Sequence, residues 1–205
     1  TKGDVLSVYG SLSTKPATGI QCLALMSKAF NLAEDWGWRD QNTNPCHRVK
    51  RYTLNKRQLI LTAEQSAKLN QTMTVMEAER RITASFAKFI RMLMVTGCRK
   101  MEILGSKREW IDADGVLHLP DSKTGQRDIK LPTIAKQIMS AGMDAESEWL
   151  IPATSGQGHI GNVYRTWARV KEEAGLPPEL RLHDLRHTVG SLAHRAGLSQ
   201  KQVAQ

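Results

Sequence analysis

The chain has 205 residues, of which 40% are hydrophobic and 24% are charged. No stretch approaches the ~20 consecutive apolar residues that cross a bilayer, and no secretory signal opens the sequence, so we expect a cytoplasmic protein that does not span a membrane. The net charge of +9 at pH 7 favours a polyanionic partner, with nucleic acid first and an acidic membrane surface second.

The N-terminal part is predicted to be helical. Residues 16–36 carry an apolar stripe at helical spacing, and Gly37 is a plausible stop signal. The stripe consists of Cys22, Leu25, Met26, Ala29, Ala33 and Trp36.

The sequence TKGDVLSVYG at the start has no leading methionine, so we treat the chain as a possible fragment.

A basic segment follows the turn-rich sequence DQNTNP. Residues 48–57, RVKRYTLNKR, contain five basic residues and no acidic one. Such a run is typical of a solvated linker, and it also suits a strap across a phosphate backbone. The three cysteines, Cys22, Cys46 and Cys98, are far apart and have no metal-type spacing, so we predict neither a disulfide framework nor a metal site.

The rest of the chain reads as helices around a small sheet. A capping box of Thr62 and Gln65 starts one helix, and a second runs from about 82 to 94 and is closed by Gly97. A short helix follows within 96–105, and strands near 116–119 and 129–131 flank the hairpin loop DSKTGQRD. Two more helices end at Gly175 and Gly197, and a capping box of Ser199 and Gln202 starts another. The predicted fold class is therefore mainly α with a small antiparallel β-sheet (α+β).

Four polar residues occupy positions that neither a core nor a cap requires. Arg99 follows the helix-ending Gly97, Lys123 lies in the hairpin loop, and His183 and Arg186 share one helix face. Guanidinium groups fork onto two phosphate oxygens, and a nearby lysine or histidine can supply a proton to a departing alkoxide. Simpler interpretations stay open: a solvated Lys123, a capping or surface His183, and the ion pairs Arg99–Glu102, Arg186–Asp184 or Arg186–Glu179.

Three motifs in this order, TGCRKMEIL, DSKTGQRDIKLP and LHDLRHT, resemble the catalytic domain of tyrosine recombinases, the phage integrase family. Residues 16–50 are similar to the last helices of the core-binding domain that precedes it, including the terminal Asn44-Pro45. The resemblance implies a partial core-binding domain over 1–50, a basic linker over 51–58, and a catalytic domain over 59–205 that is truncated at its C-terminus.

The resemblance also implies a mechanism on double-stranded DNA. A tyrosine attacks a phosphodiester and forms a 3′-phosphotyrosyl link, which conserves the bond energy, so neither a metal nor a nucleotide cofactor is needed. By resemblance, Arg99 and Arg186 clamp the phosphate, Lys123 is the general acid, His183 assists proton transfer or holds the phosphate, and Glu102 supports Arg99. Asp184 and His187 are interpreted as supporting or structural. The family acts as a homotetramer on DNA, whereas the fragment is expected to be a monomer. Expected DNA-backbone contacts are Lys15, Lys28, Arg48, Lys50 and Arg51.

One departure from the family pattern concerns the nucleophile. In the family the tyrosine lies downstream of His-x-x-Arg, whereas Tyr9, Tyr52 and Tyr164 all lie upstream of it. Tyr164 shares a helical face with Trp167, which favours a packing role. The chain as given is therefore expected to bind DNA weakly and not to cleave it.

Two alternatives to a recombinase remain. The sequence AGLSQKQVAQ at the end resembles the first helix of a repressor-type helix-turn-helix, which indicates a DNA-binding regulator without chemistry. A type IB topoisomerase-like enzyme shares the phosphotyrosine chemistry. The compact motif spacing and the core-binding helices favour the recombinase.

Overall fold

The computed structural model describes residues 1–54, 59–120, 125–141, 147–155 and 157–197. The chain divides into two compact units, Thr1–Arg57 and Gln58–Gln205. The predicted linker, residues 51–58, straddles this division, and its described residues belong to the first unit.

The first unit is built on a helical hairpin. Helix α1 (Lys2–Ser11) starts at a capping box in which Thr1 Oγ1 accepts from the Asp4 amide and the Asp4 carboxylate accepts from the Thr1 amino group, and it buries Val5 and Tyr9. Helix α2 (Pro16–Asp35) opens with a proline in its first turn, where the missing N–H has no helical partner to lose. The sequence analysis did not predict α1, because the segment has only a weak apolar stripe.

The buried face of α2 differs from the predicted stripe. Gly19 and Leu23 are buried and Met26 and Phe30 pack beside them, whereas Leu25 is 73% exposed. A Cβ atom at Gly19 would lie 3.0 Å from the ring of Tyr52, so this face accepts only a very small residue there. Periodicity found the helix correctly, but the stripe residues Leu25, Ala29 and Trp36 are exposed, and Met26 is the stripe residue that packs on the core of this unit.

The segment after α2 folds back onto the two helices. The buried Asn44 donates to the Ser27 carbonyl oxygen (3.0 Å) and to Asn31 Oδ1 (2.5 Å), and it accepts from the Cys46 amide (2.9 Å). Tyr52 stacks on the ring of Tyr9 with 4.3 Å between centroids. The Tyr52 amide donates to the Tyr9 hydroxyl (2.7 Å), and the Tyr52 hydroxyl donates to the Tyr9 carbonyl (3.0 Å). These bonds anchor the start of the predicted linker in the first unit.

The second unit is mainly helical with one two-stranded sheet, which confirms the predicted fold class. The Thr62–Gln65 capping box is present, and Gly97, Gly175 and Gly197 all have positive φ angles, as expected for helix-ending glycines. The sequence analysis missed the helix Thr133–Ser140 and a single turn of 3-10 helix at Arg108–Trp110. None of the described helices is long and apolar enough to cross a membrane. The elements are α3 (Ala63–Ala78), α4 (Ala84–Thr96), α5 (Lys100–Leu104), β1 (Val116–Leu119), β2 (Arg127–Lys130), α6 (Thr133–Ser140), α7 (Tyr164–Glu173) and α8 (Leu182–Arg195).

Helix α4 is the central element of this unit. It packs against α3, α5, α6 and α8, so it is buried on almost every side rather than on one face. An apolar helix of this kind forms the core when its neighbours cover it all round. Because α5 follows directly and α8 packs alongside, the C-terminal end of α4 lies where the predicted site residues meet. Its buried residues are Phe86, Ala87, Lys88, Phe89, Ile90, Met92 and Leu93.

The predicted hairpin of strands is present and antiparallel. Val116 pairs with Lys130 and Leu119 pairs with Arg127. Leu117 and Ile129 are partners on the buried face, and successive side chains alternate between faces. His118 therefore points away from the core, where its Nδ1 lies 2.8 Å from Asp128 Oδ1 and its Nε2 lies 3.0 Å from Asp112 Oδ2.

We expect His118 to make the sheet pH-sensitive. Only a protonated imidazole can donate to both carboxylates, and the hydrogen bonds to Asp128 and Asp112 raise the pKa of His118 above its ordinary value of 6.5. This stabilisation is complete below pH 6.5 and is lost as the pH rises through the raised pKa. An NMR titration of the imidazole should give a pKa above 6.5, and Asp128→Asn should lower it. A His118 pKa at or below 6.5 in the unsubstituted protein would contradict this prediction.

Candidate functional site

The turn between α4 and α5 presents Arg99. Gly97 closes α4 in the left-handed conformation, with a φ angle of +63°, and its amide donates to the Leu93 carbonyl (3.0 Å). Arg99 caps α5, and the carboxylate of Glu102 accepts from its backbone amide (2.7 Å) and from its Nη1 (2.5 Å). The same contact therefore fits two predictions: support of Arg99 by Glu102, and a simple ion pair between these two residues.

The first turns of α8 present His183 and Arg186. Asp184 accepts from the Arg181 amide (2.8 Å) and caps the helix, which gives this buried carboxylate a structural role. Arg186 Nη1 donates to the carbonyl oxygen of Gly97 (2.5 Å). Arg186 thus reaches the turn that carries Arg99, and the structure brings these two distant arginines together.

Burial and like charges set the protonation states at the site. Partial burial of the ring, followed by the neighbouring His187 and Arg186, lowers the pKa of His183, so its imidazole is neutral at pH 7 and can accept a proton. Burial opposes ionisation of Glu102, but its hydrogen bonds from Arg99 and the charge of Arg127 outweigh burial and lower the pKa of this carboxyl group. The site therefore combines an ionised carboxylate, a neutral imidazole and several guanidinium groups.

His183 lies against His187 on α8. The His183 and His187 rings meet edge to face with 4.8 Å between centroids, and both are exposed. Lys123 lies in residues 121–124, which are outside the described part of the chain. The predicted helix start at Ser199 and Gln202 is also outside it, together with most of the sequence that resembles a helix-turn-helix. In the described residues no group of His, Cys, Asp and Glu side chains could hold a metal ion.

The sequence analysis missed Arg127, which lies beside the predicted residues. Its Nη1 is 3.6 Å from Glu102 Oε1, and its side chain is 14% exposed. The signal that could have found it is strand alternation: Arg127 shares a face with Ile129, which is buried. A charged residue on the core face of a strand needs a partner or a function.

The packing role predicted for Tyr164 is wrong. Tyr164 is 58% exposed although Trp167, on the same helix, is buried. The Nζ atom of Lys100 lies 4.8 Å from the centre of its ring and 3.3 Å from its hydroxyl oxygen. Tyr164 is the first residue of α7, where a side chain can point past the end of the packed face. The five basic residues that we expect to contact DNA are all exposed, namely Lys15, Lys28, Arg48, Lys50 and Arg51.

Comparison with known proteins gives one family and several solved structures. The sequence profile described as the phage integrase family matches residues 60–205. No curated protein sequence matches the chain.

The solved structures share the fold at low sequence identity. A dimer of phage lambda integrase residues 75–356 bound to a COC′ core site has a TM-score of 0.79 and 20% identity, over 99% of this chain and 76% of that one. A lambda integrase tetramer bound to a Holliday junction has a TM-score of 0.80 and 22% identity, over 99% and 62%. The Tn1549 transposon integrase in complex with circular intermediate DNA has a TM-score of 0.74 and 17% identity, over 100% and 76%.

Proposed function

This chain belongs to the phage integrase family, and we propose that its protein is a site-specific recombinase that breaks and rejoins double-stranded DNA through a phosphotyrosine intermediate. The observation that carries this proposal is the meeting of Arg99 and Arg186 at the turn that follows Gly97. Two guanidinium groups that converge from distant parts of the chain suit a phosphate with two non-bridging oxygens.

The chemistry proceeds in two reversible transfers. The tyrosine oxygen attacks the phosphorus, the bond to the 5′-oxygen breaks, and the 5′-oxygen leaves as a hydroxyl after it takes a proton. The 5′-hydroxyl of a partner strand then attacks the 3′-phosphotyrosyl link and frees the tyrosine. Arg99 and Arg186 stabilise the negative charge that develops on the non-bridging oxygens in the transition state. Lys123 supplies the proton to the leaving oxygen, and the neutral His183 accepts a proton during attack.

The position of the nucleophilic tyrosine determines which form of the protein each assay needs. The family resemblance places the tyrosine downstream of His-x-x-Arg, and none of Tyr9, Tyr52 and Tyr164 lies there. Cleavage assays therefore use the protein expressed from the complete reading frame, called the complete protein below. DNA-binding assays use the 205-residue chain, which we expect to bind DNA as a monomer without cleaving it. The complete protein would act as a tetramer, the state in which lambda integrase was solved on a Holliday junction.

A covalent-capture experiment tests the proposed chemistry. The complete protein is incubated with a pool of duplexes that are nicked inside a randomised core, so that the strand released by cleavage diffuses away. We expect a protein–DNA adduct that survives denaturant, carries the DNA on a tyrosine, and is enriched in particular core sequences. An absence of adduct would contradict the recombinase, and relaxation of supercoiled plasmid without any sequence enrichment would favour the topoisomerase alternative.

DNA binding by the 205-residue chain should fall steeply as salt rises. Each neutralised phosphate contributes about −0.9 to the slope of log affinity against log salt, so 6 to 10 contacts reduce affinity by about 10³–10⁵ between 50 and 200 mM. Replacing Lys50 and Arg51 by glutamine should reduce the slope by about 1 for each residue. The control is Arg81→Gln, because Arg81 is already paired with Glu79 and Glu173. An equal change of slope in the control would remove Lys50 and Arg51 from the DNA contacts.

A further inference from the structure

Arg127 is a cation on the buried face of a strand. It is the first residue of β2, opposite Leu119, and it shares its face with Ile129. Its side chain is only 14% exposed, and its Nε atom is buried without a hydrogen-bond partner. A guanidinium group is costly to bury unless its donors are satisfied, so a buried donor without a partner requires an explanation.

The carboxylate near Arg127 is already used by another arginine. Glu102 Oε1 accepts from Arg99 Nη1 at 2.5 Å, whereas Arg127 Nη1 lies 3.6 Å from the same oxygen. Arg99 by itself neutralises Glu102, and it also binds Glu102 Oε2 through its backbone amide. Neutralising Glu102 is therefore not a sufficient reason for Arg127.

The cluster carries more positive than negative charge. Arg186 donates to the neutral carbonyl oxygen of Gly97. Burial, together with the positive charges of Arg127 and Arg99, lowers the pKa of Arg186. Three guanidinium groups thus surround one carboxylate in a partly buried region. Like charges repel more strongly there than in water, and a bound anion relieves that repulsion.

We propose that Arg127 is a positioning residue for strand cleavage: it holds Glu102 behind Arg99 and leaves the site with a surplus positive charge that a bound phosphate compensates. This inference rests on the proposed function and adds to it a residue to which the family resemblance assigned no role. Arg127 also borders a cavity of about 620 Å³ lined by Thr96, Val189 and Ala193, so a replacement side chain has room.

The first test measures cleavage by the complete protein. Arg127→Met removes the charge at similar length, Arg127→Lys keeps it, and Lys130→Met is the control on the exposed face of the same strand. We expect Arg127→Met to lower the rate of adduct formation by about 10²-fold, Arg127→Lys to recover part of that loss, and Lys130→Met to leave the rate unchanged. DNA retention and the melting temperature without ligand should stay close to the wild-type values.

The pH profile separates positioning from a merely structural role. Glu102 must be ionised to hold Arg99, and the groups that act on it are Arg99, Arg127, Arg186 and the thiol of Cys98. Without the charge of Arg127, the pKa of Glu102 should rise. The acidic limb of the cleavage profile should therefore move to higher pH in Arg127→Met and much less in Arg127→Lys. An Arg127→Met enzyme with the wild-type rate and the wild-type profile would overturn the proposal.

The second test does not depend on cleavage. Inorganic phosphate is titrated into the 205-residue chain, and the melting temperature is followed. Phosphate should raise it in the wild type and in Lys130→Met, and raise it much less in Arg127→Met. An equal rise in melting temperature in the wild type and Arg127→Met, or no rise in either, would contradict the proposed surplus of positive charge. If the wild-type complete protein forms no adduct, the proposed function fails, and the phosphate titration still decides the role of Arg127.

Discussion

We expect Arg186→Ala in the complete protein to lower the rate of strand cleavage by at least about 10²-fold, and Arg186→Lys to restore little of it. Arg186 Nη1 is fixed by the Gly97 carbonyl at 2.5 Å, which sets the direction of the guanidinium group beside Arg99. Removing one donor that stabilises the charge of a transition state lowers the rate by about 10²–10³-fold. A lysine ammonium is a point charge and cannot fork onto two oxygens, so it is a poor substitute. Arg99→Ala should have a similar effect, because it removes the other half of the clamp.

The measurement is the initial rate of covalent adduct formation on the nicked duplexes. Arg195→Ala is the matched control, because Arg195 is an exposed arginine in the last turn of the same helix. Circular dichroism and DNA retention at low salt show whether each variant folds and binds. If Arg186→Ala cleaves within a few-fold of the Arg195→Ala control, Arg186 does not belong to the site.

Local sequence rules predicted the parts of the fold that depend on local chemistry. The capping box at Thr62 and the glycines that end helices work through backbone geometry within a few residues, so a sequence window contains all the information they need. The hairpin between β1 and β2 was found for the same reason. Arg99 was singled out because it follows Gly97, and Arg186 because it shares a helix face with His183.

The errors concern long-range packing, which a sequence window does not contain. Which face of α2 is buried depends on Tyr52, a residue from a later segment, so the periodicity of α2 alone could not select it. Tyr164 shares a helix with buried Trp167, but its position at the start of α7 leaves it exposed. Arg127 was overlooked because the motif drew attention to Lys123 in the same hairpin, although the alternation of β2 already placed Arg127 on the core face.

The second large effect is expected at Gly97, where the fold and the site share one residue. Gly97 has a φ angle of +63°, a conformation that costs an L-residue about 1–2 kcal/mol. A Cβ atom there would also lie 3.0 Å from Val189 Cγ1 and 3.1 Å from Val189 Cβ on α8. Overpacking of that kind costs about 1–3 kcal/mol. Gly97→Ala should therefore lower the free energy of unfolding by about 2–5 kcal/mol, and it should reduce cleavage because α8 carries Arg186.

A comparison with Gly197 separates these two costs. Gly197 follows the end of α8 with a φ angle of +87°, and an added Cβ would meet no atom within 4 Å, so Gly197→Ala carries the backbone cost alone. The second substitution in Gly97→Ala/Val189→Ala removes the contact with Val189 Cγ1 and leaves the one with Val189 Cβ, so it should recover part of the packing loss, together with part of the cleavage activity. Chemical denaturation measures the free energies, and adduct formation measures the activity. Equal losses in Gly97→Ala and Gly197→Ala, with no recovery in the double variant, would mean that close packing of the turn on α8 does not hold Arg186 beside Arg99.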